Sequence, residues 1–203
     1  MLKKLYIVAA FPLILVPLAA QAPPSAEGSG LTFWTGASVS FFNPDYGCGN
    51  NTPVSCWGNM LIGLGPYLDT SSFLFGRIGV EGEARFLRWH GPVSMTQDSY
   101  MGGPRVRLFR YKGLHFTGKF LFGLAHLDVP APLLGGGSYF AFAPGADIDY
   151  RLARRLSARV GYEYQRWPEY KRFQGCCGGL TPNGFSVGIS YAIHGSGTVP
   201  NLN

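Results

Sequence analysis

Charge is scarce in this chain: Asp, Glu, Lys and Arg make up 14% of its 203 residues. With 15% aromatics and 29 glycines beside that, the composition argues against a helical bundle and suits strands joined by turns. Long apolar runs are missing beyond residue 22, where no window holds 18 consecutive apolar residues, so no helix is expected to cross a bilayer. Clusters of basic residues are missing too. The formal charge of +6 falls to +4 without Lys3 and Lys4, and the remaining Lys and Arg are dispersed, so nucleic acid is not an expected partner. No abrupt change of composition marks a second domain.

The first 22 residues read as an export signal. Lys3 and Lys4 give a basic start, Leu5 to Ala20 an apolar stretch, and Ala20-Gln21-Ala22 a small-x-small cleavage pattern. The apolar stretch falls short of the roughly 20 residues that span a bilayer and holds Pro12 and Pro17, so cleavage is expected and an uncleaved anchor is not. Pro23 disfavours a cut directly after Ala22 and leaves the position of the cut open. A lipoprotein is not expected, since no Cys lies near the junction. Residues 23–29 then read as a short linker, 30–194 as one domain and 195–203 as a C-terminal tail.

Within the domain, short segments alternate between an apolar and a polar or small face, the period-two signature of strands. Phe33, Thr35, Ala37, Val39 and Phe41 oppose Trp34, Gly36, Ser38 and Ser40, and Gly63, Gly65, Tyr67 and Asp69 share one face of a second segment. Ile78, Val80, Ala84 and Phe86 oppose Arg77, Glu81, Glu83 and Arg85; Val106 and Leu108 oppose Arg105 and Arg107. Leu114, Phe116, Phe120, Phe122 and Leu124 oppose His115, Thr117 and Lys119, and Phe140, Phe142, Ala146 and Ile148 oppose Ala141, Gly145, Asp147 and Asp149. Ala158, Val160, Tyr162 and Tyr164 oppose Ser157, Arg159, Glu163 and Gln165, and the eighth segment sets Phe185, Val187, Ile189, Tyr191 and Ile193 against Gly184, Ser186, Gly188, Ser190 and Ala192. Eight such segments joined by alternately long (43–59, 88–98, 128–138, 167–182) and short (70–76, 110–113, 151–155) connections predict an all-β, eight-stranded antiparallel up-and-down transmembrane barrel. Pro66, Pro104 and Pro144 fall inside strands of a sheet that has no edge, so a bulge is expected at each, helped by Gly65, Gly103 and Gly145. Their spacing of about 40 residues hints at hairpin duplication.

A barrel of eight strands has an interior just wide enough to be filled by side chains, so charges there must pair. Folding the chain about its connections sets Glu83 opposite Arg105, Glu81 opposite Arg107, Lys119 opposite Asp147, and Asp147 opposite Arg159. Arg85, Asp149 and Glu163 share those faces, giving a predicted lumen network of ten charges. On that register Arg105→Ala should destabilise the barrel by stranding Glu83. Cys48, Cys56, Cys176 and Cys177 are disulfide candidates in an exported chain. Cys48 with Cys56 is the local pairing; bonds from Cys176 and Cys177 to those two are the alternative, since a bond between the neighbours would be strained. No metal and no cofactor is expected.

Ala143-Pro-Gly-Ala-Asp-Ile-Asp-Tyr-Arg-Leu-Ala-Arg-Arg-Leu-Ser-Ala-Arg-Val-Gly-Tyr-Glu-Tyr resembles the penultimate inward turn of small OmpA-like outer-membrane β-barrel domains. Ser186-Val-Gly-Ile-Ser-Tyr-Ala-Ile193 resembles the final-strand signal read by the barrel assembly machinery, with Ser186, Gly188, Tyr191 and Ile193 at its polar, glycine, aromatic and hydrophobic positions. The resemblance implies a monomeric protein of the bacterial outer membrane with a structural, envelope or surface role. Its implied partners are outer-membrane lipid, lipopolysaccharide and, during biogenesis, that assembly machinery. The chain runs on to Asn203 and no peptidoglycan-binding domain follows, so a cell-wall tether is not expected.

Arg88, Arg166, Lys171 and Arg172 are placed near the outer rim, and Arg110, Lys112, Arg151, Arg154 and Arg155 at the inner turns. Trp57, Trp89, Tyr139, Trp167 and Tyr170 are expected in aromatic girdles. An enzyme is not expected, although a lipid A-modifying barrel is one alternative: His126 lies beside Asp128, but no Ser adjoins it, with Ser94 and Ser138 only loosely placed and His90, His115 and His194 equally isolated. A narrow small-solute channel is a second alternative. A soluble lipocalin-like binder is a third, disfavoured because its apolar face should point inward, away from water.

Overall fold

A computed structural model describes residues 32–45, 60–70, 77–89, 95–128, 136–170 and 179–194. The four cysteines, the export signal, Trp57, His90, Ser94, Lys171, Arg172 and the tail lie outside those residues. Eight strands follow in order: β1 Phe33–Asn43, β2 Leu61–Thr70, β3 Ile78–Trp89, β4 Thr96–Tyr111, β5 Leu114–Asp128, β6 Gly137–Ala153, β7 Leu156–Tyr164 and β8 Asn183–His194. Each pairs antiparallel with its neighbours in sequence, and β1 pairs with β8 to close the barrel. Period-two alternation is what makes closure favourable, because it gives every strand one face for the lumen and one for the outside.

The outward face is apolar: Leu64, Val80, Leu124 and Ile189 are each between 50% and 62% exposed. This orientation overturns the lipocalin-like reading. Strands β4, β5 and β6, with 16, 15 and 17 residues, outlast their expected ends, so the barrel is taller along that wall. Two of the connections at one end shrink to two residues. Lys112 and Gly113 turn β4 into β5 with φ of 46° and 84°, the pair of positive values a tight hairpin of this twist requires. Arg154 and Arg155 turn β6 into β7.

The bulges expected at the three prolines are not found. The register runs unshifted through each: Leu64↔Phe86 to Tyr67↔Glu83 past Pro66, Gly102↔Phe122 to Arg105↔Lys119 past Pro104, and Phe142↔Arg166 to Gly145↔Glu163 past Pro144. In an antiparallel ladder a residue's N–H points to one neighbouring strand only, so a proline interrupts pairing on one side. On the other side Ala37↔Pro66, Val80↔Pro104 and Phe120↔Pro144 stay paired. The actual shifts lie between Phe33 and Trp34, Arg107 and Phe109, and Arg151 and Ala153.

Candidate functional site: a filled lumen

The inward faces of β2 to β7 meet in one ionic network. Its upper part centres on Arg85, 1% exposed, which donates to Glu83 and, at 2.8 Å, to Glu163 while its guanidinium lies 4.4 Å over the Phe42 ring. Its lower part holds two arginines on the same three carboxylates. Arg105 reaches Asp69 at 2.5 Å, Glu81 at 3.3 Å and Asp149 at 3.2 Å; Arg159 reaches Asp69 at 2.7 Å, Glu81 at 3.1 Å and Asp149 at 2.7 Å. Lys119 joins the two parts, with Glu81 at 3.0 Å, Asp147 at 3.4 Å, Glu83 at 3.5 Å and Glu163 at 3.7 Å. Neutral neighbours make room for these groups. A Cβ on Gly161 would collide with the Asp147 carboxylate, and one on Gly36 with the Tyr67 ring, over which Arg159 stacks at 4.4 Å.

Nine of the ten predicted lumen charges are thus brought together; of the expected pairs, Lys119 with Asp147 forms at 3.4 Å, on a diagonal because Lys119 faces Gly145, and the other three are replaced. Glu83 faces Met101 and Glu81 faces Gly103 across β3 and β4, while Arg105 faces Gly79, so Glu83 is not the partner of Arg105. Asp147 faces Gly161 and Thr117, and Arg159 faces Asp149. The expected register assumed that the turns lie midway between the strands; β3 runs to Trp89 and β4 already begins at Thr96, so their ladder, unshifted from Arg88↔Thr96 to Ile78↔Val106, folds about an earlier point in the chain. Arg107 makes no ion pair among the described residues and sits at the short-turn mouth. Asp69 was missing from the predicted network, although its alternation with Gly65 and Tyr67 carried the signal. The side-chain oxygens of Asp147 accept no hydrogen bond from a described group.

Toward the long-connection end the lumen turns apolar. Gln165 Nε2 donates to Glu163 at 2.8 Å, and Trp167 Nε1 donates to Gln165 Oε1 at 3.0 Å, linking the ionic network to a plug. That plug contains Trp167, Tyr170 and Leu180 from the seventh connection, packed with Met101, Leu121, Leu127 and the half-buried Tyr139 of the wall. A second cluster joins Phe42, Leu61 and Leu87 with Trp89. Trp89, Tyr139, Trp167 and Tyr170 are therefore lumen side chains, not girdle residues. Their parity explains it: Trp167 extends the inward series Glu163, Gln165 through the Trp167↔Leu180 bridge, and Trp89 extends Arg85, Leu87. The outward aromatics at the short-turn end are instead Phe109 and Phe116, stacked at 4.3 Å, with Tyr111 and Tyr150 exposed nearby.

Outside the lumen, Ser138 proves closer to His126 than expected, its hydroxyl 3.0 Å from Nδ1 on the exposed face of β5 and β6. The register places Asp98 directly across from His126, but its carboxylate is held by Arg88. Neither Asp98 nor Asp128 hydrogen-bonds the imidazole, so among the described residues the pair has no carboxylate to orient and charge-balance a catalytic histidine. Arg166 and the turn residues Lys112, Arg154 and Arg155 are exposed.

A closed, all-antiparallel eight-stranded barrel with an apolar exterior and a lumen packed with paired charges decides the fold. It is the fold of the small outer-membrane barrels. Over 79% of this chain and 96% of the other, the Neisserial surface protein A structure superposes with a TM-score of 0.54 at 10% identity. The outer membrane protein OprG of Pseudomonas aeruginosa does so with a TM-score of 0.51 at 11% identity, covering 82% and 97%. No protein family and no characterised protein sequence matches the chain. The outer-membrane barrel fold that the OmpA-like motifs imply is the one adopted.

Proposed function

We propose that the chain is an exported, integral outer-membrane barrel of a bacterial envelope that neither conducts nor catalyses, and that acts as a rigid wall element presenting its long connections outside. Support for membrane residence comes from β5, where the outward positions Leu114 to Leu124 give an apolar band roughly 25 Å tall at the usual strand tilt before His126 and Asp128 begin. On this reading Ser186, Gly188, Tyr191 and Ile193 of β8 serve the assembly machinery, and Arg88 and Arg166 face lipopolysaccharide phosphates. The observation that carries the non-conducting role is the lumen, which among the described residues is occupied by buried side chains: an ionic network below and a Trp167-centred plug above. Purified barrel in planar bilayers should show no unitary steps, in the wild type and in Trp167→Ala alike, because the ionic network remains when the plug is cut; discrete openings in the wild type would overturn the reading.

The Ser138 and His126 pair gives the catalytic alternative its one specific observation. Without an orienting carboxylate, Ser138 should not be acylated, so a fluorophosphonate probe incubated with the folded barrel is expected to leave it unlabelled. Labelling lost in both Ser138→Ala and His126→Ala would establish an ester hydrolase instead.

A further inference from the structure

The short-turn mouth carries a concentration of positive charge that the lumen network does not use. Arg77 stands directly across from Arg107, whose backbone N donates to the Arg77 carbonyl at 2.8 Å. Like charges in directly opposed positions are destabilising unless something lies between them. The register shift between Arg107 and Phe109 then turns Arg110 inward, where it faces His115, an inward position that alternates with Thr117 and Lys119. Without that bulge Arg110 would share the outward face with Leu108, so the irregularity gathers charge at the mouth. His115 in turn faces Asp149, and that carboxylate is already taken by Arg105 and Arg159. No ion pair joins Arg77, Arg107 or Arg110 to any carboxylate among the described residues. The adjoining chain supplies none: 71–76, 110–115 and 151–156 contain no Asp or Glu.

We infer that this mouth is a phosphate-binding site in which Arg77, Arg107 and Arg110 hold one phosphate group from three sides. The planar guanidinium fork matches phosphate oxygens bidentately, and a dianion or phosphodiester placed there relieves the opposed arginines as well as being bound by them. The group comes either from free phosphate on the short-turn side or from the headgroup of an anionic phospholipid in the adjacent leaflet.

The test uses the full-length barrel, first in a non-ionic detergent, titrating inorganic phosphate against chloride at matched ionic strength and following the thermal midpoint by heat-modifiable gel mobility. Phosphate should raise the midpoint with the logarithm of its concentration once a dissociation constant is passed. Arg107→Gln and, separately, the more exposed Arg77→Gln and Arg110→Gln should fold with normal mobility and lose the phosphate response. In nanodiscs, a barrel in phosphatidylglycerol that is already raised over one in phosphatidylcholine, and insensitive to added phosphate, identifies the headgroup as the source; equal midpoints in the two lipids with a persisting phosphate response identify free phosphate. A phosphate effect no larger than that of chloride together with equal midpoints in both lipids, or three variants that respond as the wild type does, would overturn the inference.

Discussion

Arg85→Ala should lower the unfolding free energy of the barrel by about 3–5 kcal/mol, the loss expected when one partner of a buried ion pair is removed. Arg85 is 1% exposed and is, among the described residues, the one guanidinium that bridges Glu83 and Glu163, strands β3 and β7 facing each other across the lumen. Remove it and both carboxylates turn to Lys119, which is 3.5 Å and 3.7 Å away and already serves Glu81 and Asp147. One ammonium cannot satisfy four carboxylates, and the side chain's packing on Phe42 is lost with its charge. Arg85→Lys keeps the charge but loses the fork, so its loss should be intermediate. Carrying Glu83→Gln and Glu163→Gln along with Arg85→Met should recover most of the stability, since no charge is then stranded. Urea unfolding in lipid vesicles, followed by tryptophan fluorescence, measures all of these; a midpoint for Arg85→Ala within error of the wild type would refute the bridging role.

How far this arrangement could be read from the sequence depends on which physical quantity is asked for. Face assignment was legible nearly everywhere, because a strand residue's side is fixed by parity and the contrast is strong where Glu81, Glu83 and Arg85 alternate with Val80, Ala84 and Phe86. Register was not legible. It is set by turn geometry and by single-residue bulges, so folding the chain about loop midpoints missed the β3–β4 pairing and with it the partners of Arg105. The same parity rule, applied past the ends of the strands, would have turned Trp89 and Trp167 inward; composition suggested a girdle because tryptophan favours membrane interfaces as readily as it fills a plug. The prolines misled for a different reason. A closed sheet has no edge, but each residue still offers its N–H to one neighbour only, so an outward Pro66 or Pro144 costs one ladder bond without forcing a shift. The proximity of Ser138 to His126 depends on the β5–β6 register and was beyond the sequence for that reason.

The lower half of the network should behave differently from the upper half. Arg105 and Arg159 contact the same three carboxylates, Asp69, Glu81 and Asp149, from β4 and β7. Each is therefore the other's substitute. Either Arg105→Ala or Arg159→Ala alone should cost clearly less than Arg85→Ala, since no carboxylate is left without a guanidinium. Removing both takes away the guanidiniums that contact Asp69 and Asp149 and leaves Glu81 with Lys119 alone, so the double variant should lose more than the two single losses combined, by a coupling of about 0.5–3 kcal/mol. Asp69→Asn with Asp149→Asn in the double background should return much of that loss, because the stranded charges would be gone. Strictly additive single and double losses would mean that the two arginines act independently and that the shared carboxylates contribute no redundancy.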